Sequence, residues 1–406
     1  MSTPAQLDLR RGEGPRIEAI DALRGLALFG ILQVNIQSFT WGAGEPLGYL
    51  QQPPGWGESA VYFLQAAFLE GKFYPIFAFL FGAGMQMQLR RLRARTPRSG
   101  DTALAAYRRR LFFLLLLGVL HGALLYCGDV LAAYAICAFA FIAVVGPHPR
   151  LFAPFALACG ALAVLSEFVP VIFGAFVSST EPASEIPMSV QLGHAVYCHA
   201  GFLEQISQRW GDEVWQQLGG IVSFWPQVLA LLALGWIAAE KGWLEHPEEH
   251  TEIWRRAWKI GLQLGLPCAL LGAAMSLTEA RNAPGDDGEW DSVLMGFSSL
   301  LAAAYVSVAL RLLRQSWAQT MRELLAGMGR MSLTNYVMQS VCMGALLSGW
   351  GLGLGASATR AQLAAWALLI FCAQLAWSRL HLTRFRQGPL EALWRRWTYG
   401  RESTPT

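Results

Sequence analysis

The positive charges of this chain alternate with long apolar runs, and this alternation constrains the fold more than any other feature. Of the 31 Lys and Arg residues, 26 lie in every second gap between the runs. A helical span needs about 20 apolar residues, because about 30 Å of hydrocarbon is crossed at about 1.5 Å per residue. Ten runs are long enough. They lie near residues 20–39, 72–90, 111–127, 129–146, 151–176, 218–240, 258–277, 291–313, 333–350 and 360–380.

The distribution of basic residues among the gaps predicts the orientation of the chain in the membrane. Short loops that are rich in Lys and Arg stay on the cytoplasmic side of a membrane. Both termini are therefore expected inside, and the loops at 41–71, 178–217 and 278–290 outside. Hydrophobic residues make up 54% of the chain and charged residues only 15%, which excludes an ordinary soluble domain. The predicted fold class is all-α, a polytopic bundle of about ten transmembrane helices.

The runs divide the chain into two halves of five helices. We expect a cytoplasmic N-terminal tail at 1–19, a first half with the candidate catalytic site at 20–177, and an outer loop with an amphipathic helix at 178–217. A second half at 218–380 and a cytoplasmic tail at 381–406 complete the chain. The first 19 residues are polar, so no cleavable signal peptide is expected and the first run stays as a helix.

Polar residues inside the first run form one face of its helix. A charged side chain at the bilayer centre costs about 3 kcal/mol or more, so it needs a partner or a function. Asp21 and Arg24 are three residues apart and can pair with each other. Asn35 lies on the same face, about 16 Å further along the helix axis. The alternative is a purely structural line of contacts between helices.

His121 is the sharpest candidate for chemistry. It is expected about 15 Å inside the membrane, counted from the basic residues that precede its run. Gly118 and Gly122 are expected to clear space beside its ring, and Asp129 follows at the outer end of the run. An imidazole beside a cavity, with a carboxylate near it, is a candidate general base. The alternative is a neutral imidazole that only donates to a backbone carbonyl.

The second half has one unusually polar stretch, at the start of the ninth run. Arg330 and Thr334 share a helix face, as do Asn335 and Gln339. Glu167, within the fifth run, has no partner that the sequence identifies.

Several other motifs predict no site. His246 and His250 match a zinc-protease pattern, but the Pro and Glu residues between them are typical of a helix N-terminus, so no metal is expected. The chain has no GxxxxGK motif, which removes support for ATP-driven transport. The eight Arg residues at 90–110 could contact nucleic acid, anionic lipid or a phosphorylated ligand. We interpret them as a topology signal and expect no nucleic-acid partner.

Taken together, the motifs resemble those of the bacterial YeiB-like membrane proteins, whose second half carries a domain of unknown function (DUF418). The resemblance extends from about residue 16 to 401 and implies a multi-pass protein of the bacterial cytoplasmic (inner) membrane. Its motifs are DALRG at 21–25 with Asn35, GKF at 71–73, FLFGAG at 79–84, GVLH at 118–121, GDVL at 128–131, GRMSLTNY at 329–336, GPLE at 388–391 with Trp394, and TYG at 398–400.

More distantly, the chain is similar to the transmembrane acyltransferase superfamily, which includes the lysosomal heparan-glucosaminide acetyltransferase. That resemblance implies transfer of an acyl group from cytoplasmic acyl-CoA to a sugar on the far side, and it suggests a homodimer. Two positions depart from the pattern: Gln339 replaces a His, and Met331 replaces an Asn. Proton transfer is therefore expected to rest on His121, alone or with Asp129.

The leading hypothesis is an acyltransferase that takes an acyl group, most simply acetyl, from acyl-CoA to a small-molecule or glycan acceptor. Arg24 and the arginines at 90–110 are expected to meet the CoA phosphates, and Asn35 or Lys72 to stabilise the oxyanion. The predicted catalytic residues are His121, Asp129 and Asn35. The predicted cofactor-binding residues are Asp21, Arg24, Lys72, Arg330, Asn335 and Gln339.

Two other hypotheses stay open. The first is a permease or exporter, not driven by ATP, in which Asp21, Arg24 and His121 form a proton or substrate path. The second is a structural or signalling membrane protein whose polar residues only align helices. In all three cases membrane lipids are partners.

Overall fold

The chain folds into helices alone in every part that can be described. The computed structural model describes residues 18–41, 55–95, 100–146, 148–168, 188–210, 214–282 and 289–399. Residues 1–17 of the predicted tail at 1–19 lie outside the described residues, and so do parts of the three predicted outer loops. No strand occurs in the described ranges. The predicted all-α fold is confirmed.

The helices of the first half begin with α1 (Glu18–Trp41), which is followed by α2 (Trp56–Phe68), α3 (Tyr74–Arg95), α4 (Gly100–Leu124), α5 (Leu131–Val145) and α6 (Phe152–Ser166). Between the halves lie α7 (Met188–His199) and α8 (Phe202–Gln208). The second half contains α9 (Val214–Glu240), α10 (Thr251–Ile260), α11 (Leu266–Asn282), α12 (Glu289–Ser298), α13 (Leu301–Leu312), α14 (Gln319–Arg330), α15 (Ser332–Leu347), α16 (Arg360–Arg384) and α17 (Pro389–Tyr399).

Each of the ten apolar runs contains an α-helix. Among the described residues, four helical segments are long and apolar enough to cross a membrane, and three shorter apolar helices accompany them. The four segments are Glu18–Trp41, Thr251–Arg281, Val293–Leu312 and Arg360–Arg384. The second of these is continuous because one π-helical turn, Gly261–Gly265, joins α10 to α11.

Helix α1 lies at the centre of the bundle and packs against α14, α15 and α16. Its contact with α14 is very close: a Cβ on Gly329 would lie 1.8 Å from the carbonyl oxygen of Asp21. Only glycine permits this approach, since no Cβ tolerates such a distance. The contact brings the Asp21 turn of α1 beside the end of α14, where Arg330 is located.

The two predicted halves share one packed interior. Helix α9 belongs to the second half by sequence, yet it packs against α3 and α6 of the first. Helix α1 in turn packs against three helices of the second half. The division into 20–177 and 218–380 is thus a division of sequence, and the packing of the described helices crosses it.

The C-terminal helix α17 is built into the bundle. It packs on α4 and α15, and the indole N–H of Trp394 donates to the carbonyl of Arg110 at 2.8 Å. The Arg110 guanidinium lies 3.3 Å from the centre of the same ring, a cation–π contact. Within the segment predicted as a cytoplasmic tail at 381–406, helix α17 therefore packs on the bundle, because the half-buried ring of Trp394 contacts α4.

Candidate functional site

A buried aspartate, histidine and serine form a hydrogen-bonded row between three parts of the chain. His121 lies near the end of α4, Asp129 in the turn between α4 and α5, and Ser340 in the middle of α15. His121 Nδ1 is 2.9 Å from Asp129 Oδ1, and His121 Nε2 is 2.9 Å from Ser340 Oγ. The three residues are 2%, 5% and 1% exposed, so water does not compete for these bonds.

The carboxylate of Asp129 is held in place from two further directions. Its Oδ2 accepts the backbone N–H of Ala132 at 2.9 Å, in the first turn of α5, and the hydroxyl of Tyr336 lies 3.5 Å from its Oδ1. A Cβ on Gly118 would lie 2.8 Å from Asp129 Oδ2 and 2.4 Å from the Ala132 nitrogen. The space that Gly118 was expected to clear beside the His121 ring is therefore not open, because it holds the Asp129 turn.

The carboxylate determines which tautomer His121 takes when Asp129 is ionised. An ionised Asp129 can only accept, so Nδ1 of His121 carries the proton and donates it to Oδ1. Nε2 is then the free lone pair, which accepts the hydroxyl proton of Ser340. A hydroxyl, a base and an orienting carboxylate in this order are the parts of an activated serine nucleophile.

A cavity of about 400 Å³ lies between α1, α3, α4, α5, α15 and α17, within the usual size range of small-molecule sites. It reaches the surface at Arg91, which is exposed. Its apolar wall includes Phe77, Phe81 and Leu114. Its charged lining consists of five arginines and two carboxylates, Arg24, Arg91, Arg110, Arg330 and Arg395 with Asp21 and Glu391. The formal surplus of three positive charges suits an anionic ligand.

Tyr336 separates this cavity from the buried row. Its side chain lines the cavity, while its ring centre lies 5.0 Å from that of His121. His121 itself does not line the cavity. The imidazole that the sequence predicted to sit beside open space is thus one aromatic ring away from it.

Three of the predicted binding residues meet at the cavity. Asp21, Arg24 and Arg330 line it, and the predicted pairing within α1 is confirmed, since Arg24 Nη1 lies 3.1 Å from Asp21 Oδ1. Arg330 also donates from Nη2 to the carbonyl of Arg386 at 2.8 Å. Part of its donor capacity therefore holds the segment that leads into α17.

Two other predicted binding residues, Asn335 and Gln339, are not among the residues that line the cavity, and they bond to neighbouring helices. Asn335 Nδ2 donates to Met328 O at 3.1 Å and to Ser378 Oγ at 3.0 Å. Gln339 Nε2 donates to Gln374 Oε1 at 3.0 Å. Their role in binding a cofactor stays a prediction, and these bonds favour a role in joining α14, α15 and α16.

Lys72 and Asn35 are also apart from the cavity. Lys72 is wholly buried in the turn between α2 and α3, and its ammonium donates to the carbonyl of Ala66 at 2.7 Å. Asn35 is half-buried in α1 and does not contact His121 or Asp129 through any described hydrogen bond. A part for either residue in stabilising an oxyanion stays a prediction without support from this geometry.

Two partners were not identified from the sequence. Ser340 was missed because serines are common inside membrane helices, and the one available signal was its position four residues after Tyr336, on the same helix face. Glu167 does have a partner, because the amide of Gln227 donates to its carboxylate. No group of three or more His, Cys, Asp or Glu residues able to hold a metal occurs in the described part of the chain.

The apolar helices of membrane-spanning length and the all-helical fold define an α-helical membrane protein. Residues 238–401 match the family described as Protein of unknown function (DUF418). The chain is 28% identical to Uncharacterized protein YxaH of Bacillus subtilis over 404 residues, which cover 95% of this chain and 94% of that protein. It is 29% identical to Uncharacterized protein YeiB of Escherichia coli, with 93% and 95% covered. Residues 238–401 thus match DUF418, and over nearly its whole length the chain is similar to uncharacterised proteins of the YeiB family, as its motifs predicted.

A third relative, described as an uncharacterized 39.9 kDa protein in the amylase 3′ region of Bacillus acidopullulyticus, is 29% identical, with 95% of each chain covered. No solved structure matches the chain. The relatives extend over nearly the same length as this protein, so the cavity and the buried row lie within the region that all of them share.

Proposed function

We propose that this protein is an integral membrane acyltransferase. It would move an acyl group, most simply acetyl, from cytoplasmic acyl-CoA to a hydroxyl or amine of a sugar or another envelope molecule. The observation that carries the proposal is the position of Tyr336. Tyr336 lines the cationic cavity and also contacts His121 and Asp129, so one aromatic ring lies between the cavity and the buried base.

The proposal includes a topology. The ten apolar runs would cross the inner membrane of a bacterium with both termini in the cytoplasm. Every second gap between the runs is basic, and basic gaps stay on the cytoplasmic side. The mouth of the cavity would then face the cytoplasm, since Arg91, Arg330 and Arg395 all come from basic gaps. The supply of acyl-CoA is on that side.

The charged and apolar parts of the cavity lining suit the donor. Arginine side chains bind phosphate through paired N–H donors, and the phosphates of CoA would meet Arg91, Arg110 and Arg395 near the opening. The pantetheine arm is narrow and largely uncharged. It would follow the apolar wall at Phe77 and Phe81 toward Tyr336, which places the thioester beside the buried row.

At the end of that path His121 would act as general base. Its Nε2 lone pair is available because Asp129 holds the proton on Nδ1. Asp129 would also stabilise the imidazolium that forms when Nε2 takes a proton. The exclusion of water from this region would limit hydrolysis of the thioester.

Binding of the donor is tested with purified protein in detergent. We expect acetyl-CoA to raise the melting temperature, because a ligand that binds only the folded state stabilises it. The variant Arg91→Glu should bind about ten- to a hundredfold more weakly, the range for losing a charged hydrogen bond. The matched control is Arg109→Glu, an exposed arginine of α4 that lies in a different surface cleft.

Catalysis is tested through release of the CoA thiol. Wild-type protein should release thiol from acetyl-CoA, and His121→Ala should still be stabilised by acetyl-CoA while releasing none. If the wild type neither binds acetyl-CoA nor releases thiol, the acyltransferase is excluded. Solute movement across proteoliposomes that depends on His121, without thiol release, would instead establish the permease.

A further inference from the structure

We propose that Ser340 is a covalent nucleophile, so that the acyl group rests on the protein between donor and acceptor. The inference rests on the proposed function and adds a step to it. Without Ser340, a His121 base would pass the acyl group directly from CoA to the acceptor. With Ser340, the reaction divides into two half-reactions with a serine ester between them.

The geometry that supports this step is specific to each ring nitrogen. Nδ1 of His121 faces the carboxylate, and Nε2 faces the serine hydroxyl, both at 2.9 Å. A histidine that only joined helices could use its two nitrogens in either order and needs no carboxylate. Here an ionised Asp129 beside Nδ1 keeps the proton on that nitrogen, which leaves Nε2, the nitrogen that faces Ser340, as the base. The second carboxylate oxygen is held by the Ala132 N–H, so the orienting group cannot rotate away.

The position of Ser340 along α15 places it within reach of the donor. It follows Tyr336 by four residues, so it lies about 6 Å deeper on the same helix face. Tyr336 lines the cavity, and Ser340 is 1% exposed behind it. Rotation of the Tyr336 ring into the cavity would open a path from the thioester to the serine oxygen. The ring is therefore a gate between the two sites.

Both half-reactions balance. In the first, Ser340 Oγ attacks the thioester carbonyl while His121 Nε2 takes the hydroxyl proton. The C–S bond breaks, and the CoA thiolate leaves with that proton as free thiol. In the second, the acceptor hydroxyl or amine gives its proton to Nε2 and attacks the serine ester. The C–O bond breaks, and Ser340 recovers its proton from His121.

The test uses the full-length protein with radiolabelled acetyl-CoA and no added acceptor. We expect a burst of thiol release equal to about one equivalent of protein, followed by slow turnover with water. After an acid quench the label should stay on the peptide that contains Ser340, since a serine ester survives acid and an acyl-imidazole does not.

The variants separate the alternatives. Ser340→Ala should lose the burst and the label, and Ser340→Cys should retain a label that neutral hydroxylamine removes. Asp129→Asn should slow the burst by several orders of magnitude, on the order of 10⁴-fold in related arrangements. The control is Ser348→Ala, at a buried serine that follows α15 and whose hydroxyl makes no hydrogen bond to a described residue; it should behave as wild type.

Three results would overturn the inference, and they differ in whether the proposed acyltransferase also fails. If Ser340→Ala transfers acetyl at the wild-type rate and no label stays on the protein, the transfer is direct and the proposed acyltransferase stands. If the wild type shows no binding of acetyl-CoA and no thiol release, the proposed function fails and the nucleophile with it. Acid-labile label on His121 would also exclude Ser340.

Discussion

The carboxylate of Glu391 accepts the backbone N–H of Leu333 at 2.8 Å and so caps the helix that carries Tyr336 and Ser340. It also bonds to the N–H of Thr334 at 3.1 Å. The first N–H groups of a helix have no partner within it, and a carboxylate there satisfies them and complements the helix dipole. Helix α17 thus holds α15 at its N-terminal end, beside the cavity.

Removing this cap should weaken the fold. We expect Glu391→Ala to lower the free energy of unfolding by about 1–2 kcal/mol, the usual range for a lost cap. Glu391→Gln keeps one acceptor oxygen and should lose less. Thermal unfolding in detergent measures both, with Glu249→Ala, an exposed glutamate, as control. Equal melting temperatures for Glu391→Ala and Glu249→Ala would show that α17 does not support α15.

Gly118 of α4 should tolerate alanine poorly. An alanine there would bring Cβ to 2.4 Å from the Ala132 nitrogen and 2.8 Å from Asp129 Oδ2, so the turn that carries Asp129 must move. Gly122, one turn later, offers a direct comparison, because a Cβ there would make an ordinary contact of 3.6 Å with Asp129 Cβ.

The two alanine variants should therefore differ in sign. Gly122→Ala should be neutral or stabilising by up to about 1 kcal/mol, the gain of alanine over glycine in a helix. Gly118→Ala should be destabilising by about 1–3 kcal/mol, as for an overpacked core. Melting temperatures in the same detergent measure the difference. Equal stability would mean that the Asp129 turn is not packed against α4 as described.

The local parts of this structure were predictable from sequence, because their physical causes are local. Apolar runs and helical periodicity predicted the helices, and a spacing of three residues predicted the contact between Asp21 and Arg24. His121 and Asp129 are eight residues apart, and a turn between two helices brings them together. In each case the partners belong to one helix or to one helical hairpin.

The remaining parts depend on how distant helices pack, and no periodicity carries that information. Ser340 reaches His121 across 219 positions, and Glu391 reaches Leu333 across 58. The sequence pattern at the start of α15 shows polar residues, but it does not distinguish those that line the cavity from those that bond to a neighbouring helix. Asn335 and Gln339 were for this reason assigned to binding, although their described hydrogen bonds join helices.

The network of Asn335 and Gln339 should matter for stability and not for donor binding. Gln339→Leu leaves Gln374 without the amide donor that its side-chain oxygen accepts at 3.0 Å. A hydrogen bond between membrane helices contributes about 1 kcal/mol, so the melting temperature should fall by a few degrees. The affinity for acetyl-CoA should stay at the wild-type value. A large loss of affinity with unchanged stability would return Gln339 to the binding site.

Tyr336 should control whether small molecules in the cavity reach His121. In the wild type His121 is 2% exposed and both nitrogens of its imidazole are hydrogen-bonded, so diethyl pyrocarbonate should modify His121 slowly. Tyr336→Ala removes the partition and should raise the rate at His121 by about tenfold or more, as expected when a closed state opens. Peptide mass spectrometry reads the rate at each histidine. His246, whose side chain is 58% exposed, is the internal reference and should react equally in both proteins.

Tyr399→Ala is the matched control, because this tyrosine also lines the cavity but bonds to Gln88 and does not contact His121. If Tyr399→Ala accelerates the reaction as much as Tyr336→Ala, general loosening of the bundle explains the exposure. If neither does, the cavity and the His121 site are not joined through Tyr336.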